Sequence, residues 1–224
     1  MAFGRFSAFF FFFAVDAALA ISALAVVAAE LPDGASVAIN FGADEPDGAR
    51  SDVNGPAGIL GTATWNNLDT LAGENVAVLA DVDGTATETE VTVSWTAANT
   101  WASQGRGEEN NTAPAGNDRN LMTGYLDTDN TAPNSVTVTG LGEASYDVVV
   151  YTKGGVIGRG GEYTIGDSTQ PHVDAAPFDG DYVLGGEGDY LVFKNVSGAE
   201  FTLTGQPTTS DTPRAPINAL EVVI

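Results

Sequence analysis

From residue 36 onward, apolar and polar positions alternate in short runs. In TEVTVSW (89–95), Val91, Val93 and Trp95 fall on one side and Thr92 and Ser94 on the other. Successive side chains of a β-strand point to opposite faces, so this spacing predicts a strand with one face in a core. SVTVTGL (135–141) and EFTLTG (200–205) repeat the pattern through Val136/Val138 and Phe201/Leu203. SVAINFG (36–42), ENVAVLA (74–80), GEYTIG (161–166), DYLVFKNV (189–196) and NALEVVI (218–224) complete the alternating set. YDVVVY (146–151) alternates less and reads as a central strand covered on both faces. Gly-, Asp- and Asn-rich joints separate the runs, among them Asp83-Gly84 and Gly185-Gly186. No amphipathic helical period follows the first 30 residues. Many short strands with frequent turns predict an all-β fold, an antiparallel β-sandwich of the jelly-roll kind over 35–224. Its predicted core includes Val91, Val93, Trp95, Val148, Val150, Phe201 and Leu203. The polar stretches 44–56 and 103–120 read as long exposed loops, the place where a sandwich carries binding.

The first 29 residues follow another rule. Arg5 precedes a compact apolar run, and Ala18-Leu19-Ala20 and Ala23-Leu24-Ala25 have the A-x-A form of a cleavage site. That reads as a signal peptide. The same residues also read as a retained helix: Ala8 to Ala29 is long enough to cross a bilayer. Asp16 lies inside that run, where a carboxylate costs about 2.5–3.5 kcal/mol on insertion scales. Retention would therefore place Asp16 at a helix–helix contact in a membrane-held assembly. Both readings put the sandwich outside the cytoplasm: secreted, at the cell surface, or on the periplasmic face of a membrane.

Charge narrows the partners. The 224 residues hold 30 acidic and 8 basic side chains, a net charge of −22. Such a surface repels nucleic acid and anionic lipid headgroups. Membrane contact then falls to residues 8–29 alone. Cysteine is absent, which excludes disulfides, zinc–thiolate sites and cysteine nucleophiles.

Several segments in order carry a family resemblance: INFGA (39–43), TWNNLDT (64–70), VSWTAANTW (93–101), LMTGYLDT (121–128), GDYLVF (188–193) and RAPINALEVV (214–223). The ordered set resembles a β-sandwich domain of bacterial exported surface proteins, many of them ending in a PEP-CTERM-type sorting anchor. That family is similar to galactose-binding-like and malectin-like jelly rolls. The resemblance covers about 37–224 and implies a sandwich architecture, with glycan as the expected ligand class. It implies no assigned activity.

Candidate chemistry is sparse. Trp95 shares a face with Val91 and Val93 and reads as core, and Trp65 beside Asn66-Asn67 reads as structural. Trp101 borders the 103–120 stretch and, with Tyr125, is the candidate sugar platform. Asp81-Val82-Asp83-Gly84 has the spacing of clustered oxygen donors, which makes Asp81 and Asp83 the candidate Ca²⁺ ligands. An EF-hand fails, because Thr92 stands where the bidentate Glu belongs. The competing reading is a tight hairpin turn in which Asp-Gly supplies positive φ. Asp127, Asp129 and Asn130 form a second acidic turn. His172, the only histidine, follows Pro171 in an expected loop, without a G-x-S-x-G context. Gly158, Gly160 and Gly161 around Arg159 lack the Lys-Ser/Thr of a phosphate loop. Arg214, between Pro213 and Ala215-Pro216, is expected to pair with a carboxylate near the last strand. These features favour a non-catalytic surface module, binding or structural, with a glycan or a surface protein as partner. The alternative is a structural subunit of a membrane complex or filament, a homo-oligomer or larger assembly held by its apolar N-terminus.

Overall fold

The computed structural model describes residues 1, 31–43, 51–102, 110–142, 145–208 and 213–224. The opening segment with Asp16 lies outside the described residues. The nine strand-like runs all fall in strands. The chain runs β1 (Ser36–Phe41), β2 (Trp65–Leu68), β3 (Ala72–Val82), β4 (Thr85–Thr96) and β5 (Asn99–Ala102). A short helix α1 (Asn117–Leu121) follows, then β6 (Gly124–Asp127), β7 (Asn134–Thr139), β8 (Ser145–Tyr151), β9 (Gly160–Ile165) and β10 (Ser168–Val173). β11 (Tyr190–Ser197), β12 (Glu200–Pro207) and β13 (Ala219–Val223) complete it.

The hydrogen-bonded order is β10-β9-β12-β7-β4-β3-β1-β13-β8-β11, with β2 beside β1 and β5 paired to β6 separately. Every pairing is antiparallel except β1 with β2. β1 meets β3 at one register pair only, Ser36 opposite Asp81, and there the sheet folds over on itself. Two layers result. β3, β4, β7, β12, β9 and β10 form one, and β2, β1, β13, β8 and β11 form the other. Their inner faces share one core, as the alternation requires. Val37, Ile39, Val148, Val150, Leu220 and Val222 come from one layer, and Val91, Val93, Val136, Val138 and Leu203 from the other. Ring contacts cross between the layers: Phe41 to Trp95 at 6.1 Å and Tyr146 to Phe201 at 5.7 Å. At the far edges, Gln170 Nε2 on β10 donates to the Val192 carbonyl on β11 at 2.9 Å. The fold is thus an antiparallel β-sandwich, and all seven residues expected in its core are buried.

A second apolar cluster lies on the outside of the β1-β13-β8 layer. Ala38, Val149, Tyr151 and Ala219 face outward there, and Val53, Ala57, Trp65, Leu121, Met122 and Phe178 cover them from the loops. This explains why YDVVVY lacks alternation: β8 is buried on both faces. It also corrects the reading of 103–120 as an exposed loop. In its described part, Asn110 and Asn111 are buried and α1 packs Leu121 inward.

Candidate functional site

Period two decides what the outer face of the β13-β8-β11 layer presents. Leu191 and Phe193 point into the core, so Tyr190, Val192 and Lys194 point out. On β8, Tyr146 and Val148 point in, and Asp147 and Val149 point out beside them. Two loops rise along this face and leave a groove of about 500 Å³. Val149, Val192 and Tyr190 form its floor, Ile59 and Leu60 one wall, and Leu184 the other. Ser145, Asp147, Lys194 and Asn195 form a polar end. Leu60 and Leu184 are 51% and 60% exposed, far more than core residues of a closed surface. The volume lies in the range typical of small-ligand sites, and an apolar floor with a few polar groups at one end is their usual chemistry.

Both walls hang on buried polar groups. Tyr151 accepts a hydrogen bond from the Ile59 N–H at 2.8 Å and donates to Glu221 Oε2 at 2.5 Å. Thr62 Oγ1 donates to Glu221 Oε1 at 2.6 Å. Gly58 N–H donates to Asp118 Oδ1, which also accepts from the Tyr182 hydroxyl, each at 2.9 Å. Gly58 has φ +77°, and a Cβ there would sit 3.0 Å from Glu221 Oε2, so the close approach needs glycine. Burial pushes the Glu221 carboxyl up, partly offset by its Thr62 and Tyr151 donors. Burial and the neighbouring Glu221 charge also hold the Tyr151 phenol protonated far above its usual range. The opposite wall is fixed by Asp189, whose Oδ2 accepts from the Val183 N–H at 2.9 Å. Asp189 Oδ1 in turn lies 2.8 Å from Lys153 Nζ.

The residues singled out from sequence are scattered elsewhere. Trp101 and Tyr125 are register partners across β5 and β6. Trp101 is half-buried, while Tyr125 is buried and its hydroxyl accepts from the Gly155 N–H at 3.0 Å. Neither lines the groove. Trp65 and Trp95 are core residues, as expected, and their indole N–H groups donate to the Thr62 and Thr70 carbonyls. Asp83 and Gly84 form the two-residue β3–β4 turn, with φ +52° and +77°, between Val82 and its partner Thr85. This is the geometry of the hairpin reading. Asp81 Oδ2 accepts from the Ala63 and Thr64 N–H groups at 3.0 and 2.9 Å, and Oδ1 from Gly84 N–H at 2.7 Å. Ca²⁺ takes six to eight oxygens. Among the described residues, no three of His, Asp and Glu gather where they could hold a metal ion.

Asp81→Ala is therefore expected to lower stability by roughly 1.5–3 kcal/mol, the scale of hydrogen bonds to a charged acceptor. Urea unfolding in EDTA measures it. A loss seen only with Ca²⁺ present would instead assign Asp81 and Asp83 to a metal.

His172 is buried in β10, not in a loop. The strand pairing with β9 buries its ring, and Nε2 lies 3.0 Å from the Gly188 carbonyl. Burial lowers its pKa to about 4. Gly160 and Gly161 belong to β9. Arg214 pairs as expected, with Nε 3.5 Å from Asp127 Oδ1 and Nη1 bonded to Asn130 Oδ1. In the second acidic turn, Asp129 Oδ1 accepts from the Thr131 and Ala132 N–H groups, which lowers its carboxyl pKa.

No family model matches the chain, and no curated protein does either. Among solved structures the chain is similar to CpGH89CBM32-5 from Clostridium perfringens, determined in complex with GalNAc-β-1,3-galactose. Identity is 16%, over 60% of this chain and 95% of that one, with a TM-score of 0.32. At that score no residue can be carried across, and the sandwich rests on the strand pairing described above.

Proposed function

We propose that the domain is a non-catalytic binding module, displayed outside the cytoplasm, whose groove on the β13-β8-β11 face takes a short glycan segment. The groove itself carries the reading. A pyranose has apolar C–H faces and a rim of hydroxyls. Tyr190, Val192 and Val149 offer an apolar floor for the former. The Asp147 carboxylate, the Asn195 amide and the Lys194 ammonium offer hydrogen-bond partners for the latter. Display outside the cytoplasm is supported by the signal-like opening segment and the strongly acidic composition.

The test is a glycan-array screen of the full chain, followed by calorimetry with the best neutral oligosaccharide. Tyr190→Ala is expected to weaken binding at least about tenfold, the scale of one lost aromatic contact near 1.4 kcal/mol. Trp101→Ala is expected to leave it unchanged. The opposite pattern would move the site to β5, and an array without a hit would overturn the reading.

A further inference from the structure

Lys153 is one of two lysines in the chain and is 2% exposed. A buried ammonium has three hydrogens to place, and each finds an acceptor. Nζ lies 2.9 Å from Asp174 Oδ1, 2.8 Å from Asp189 Oδ1 and 2.6 Å from the Ala176 carbonyl. One cation thus faces two carboxylates, and all three side chains are buried. The Asp174 carboxylate is aimed by its other oxygen. Oδ2 accepts from Asn110 Nδ2 at 2.5 Å and from the Gly154 N–H at 3.1 Å, which leaves Oδ1 against Nζ. Asp189 is aimed the other way, with Oδ2 on the Val183 N–H and Oδ1 on Nζ. An amine, a carboxyl with one oxygen on an N–H donor, and a second carboxylate against the amine are the parts of an acyl transfer.

We propose that Lys153 and Asp189 condense into an intramolecular amide, with Asp174 carrying the proton. One ammonium hydrogen passes to Asp189 Oδ1, leaving a neutral amine beside a neutral acid. Nζ then attacks Asp189 Cγ, and the negative charge that develops on Oδ2 rests on the Val183 N–H. Asp174 Oδ1 takes the second hydrogen from nitrogen and hands it to the departing hydroxyl. The Cγ–Oδ1 bond breaks, the Nζ–Cγ bond remains and water leaves. The third hydrogen stays on the amide nitrogen, facing the Ala176 carbonyl. Both hydrogens of the water come from the ammonium, so the step needs no other reactant.

Electrostatics favours the product. The starting cluster carries one positive and two negative charges away from water. The amide removes one ion pair and leaves Asp174 as the only acid. Burial already pushes its carboxyl up to about 6 against the pull of Lys153, so without that cation it takes a proton from solvent and the cluster becomes neutral. The link would tie the end of β8 to the start of β11 and close a loop containing β9 and β10, in a chain that has no cysteine to do so.

Tandem mass spectrometry of a tryptic digest of the natively folded full chain tests this. Amide formation blocks cleavage after Lys153. The expected product is a branched peptide joining 120–159 to 160–194, lighter by one water than its two parts. It should form in buffer and not in urea, at a rate independent of protein concentration. Lys153→Met and Asp189→Ala should abolish it, and Asp174→Asn should slow it at least about a hundredfold, the scale of a lost general base. Free peptides ending at Lys153 in the wild type would overturn the proposal. So would water loss located at an Asp-Gly step, or loss of ammonia joining Lys153 to Asn110. Linking of folded Asp174→Asn at the wild-type rate would remove Asp174 from the step.

Discussion

Lys153→Met should lower folding stability by about 3–5 kcal/mol, the cost of breaking a buried ion pair from one side. Methionine fills most of the volume but carries no charge. Asp174 and Asp189 would then stand at 0% and 5% exposure without their cation, and the Ala176 carbonyl would lose its donor. The expensive part is the stranded partners rather than the lost attraction. Neutralising them should therefore recover most of the loss. The triple variant Lys153→Met, Asp174→Asn, Asp189→Asn is expected to lie within about 1.5 kcal/mol of the wild type, since fully neutral replacements of buried charge clusters are often tolerated. Urea unfolding of the three proteins at pH 7 measures both steps. A single variant that loses under 1 kcal/mol would mean that water reaches the carboxylates.

The second large effect depends on pH. The pKa of Asp174 is raised from 3.8 to about 6, chiefly by burial. Its folded form holds the proton more tightly, so its stabilising contribution is present below about pH 3.8 and is lost as pH rises through 6. The pKa of His172 is lowered from 6.5 to about 4, again chiefly by burial. Its contribution is present above about pH 6.5 and is lost as pH falls through 4. Each shift corresponds to about 3 kcal/mol at 1.36 kcal/mol per unit. Between pH 4 and 6 the two slopes oppose each other and nearly cancel. Single variants should unmask them. Relative to the wild type, His172→Asn is expected to gain about 3 kcal/mol on going from pH 7 to pH 4. Asp174→Asn is expected to lose about as much between pH 6 and pH 4. Denaturant unfolding across this range checks the signs. Variant curves that run parallel to the wild type would show that neither group titrates differently in the folded state.

Strands that alternate over six or more residues were legible in the sequence, because burial of one face dictates their composition. β2, β5, β6 and β10 were not. β2 and its Asn66-Asn67 pair are held by side-chain amides. Asn66 bonds to the backbone of Ala38 and Leu79, and Asn67 to that of Val53, which no hydrophobic period reports. β5 and β6 have four residues each, too few for a period to show. β10 is an edge strand, where Pro171 is tolerated and polar residues face water. The groove escaped for a related reason. Tyr190, Val192 and Lys194 sit at the outward positions of a recognised strand, but its walls come from residues 59–60 and 184, far away in sequence. The Lys153 cluster was equally hidden. A lone lysine in a turn gives no sign that Asn110, Asp174 and Asp189 will close around it.

β13 is the last strand in chain order, yet it lies between β1 and β8 in the middle of its layer. Residues 219–223 supply pairing to both neighbours at once, and Leu220 and Val222 fill the shared core. A chain emerging from its N-terminal side, from a ribosome or through a membrane pore, cannot assemble that layer in stages. β1 and β8 must wait with open edges until residue 223 is through. Edges held open in this way are templates for the wrong partner. The topology thus keeps the polypeptide threadable until translocation is nearly finished and makes completion of the sheet the signal that it has arrived.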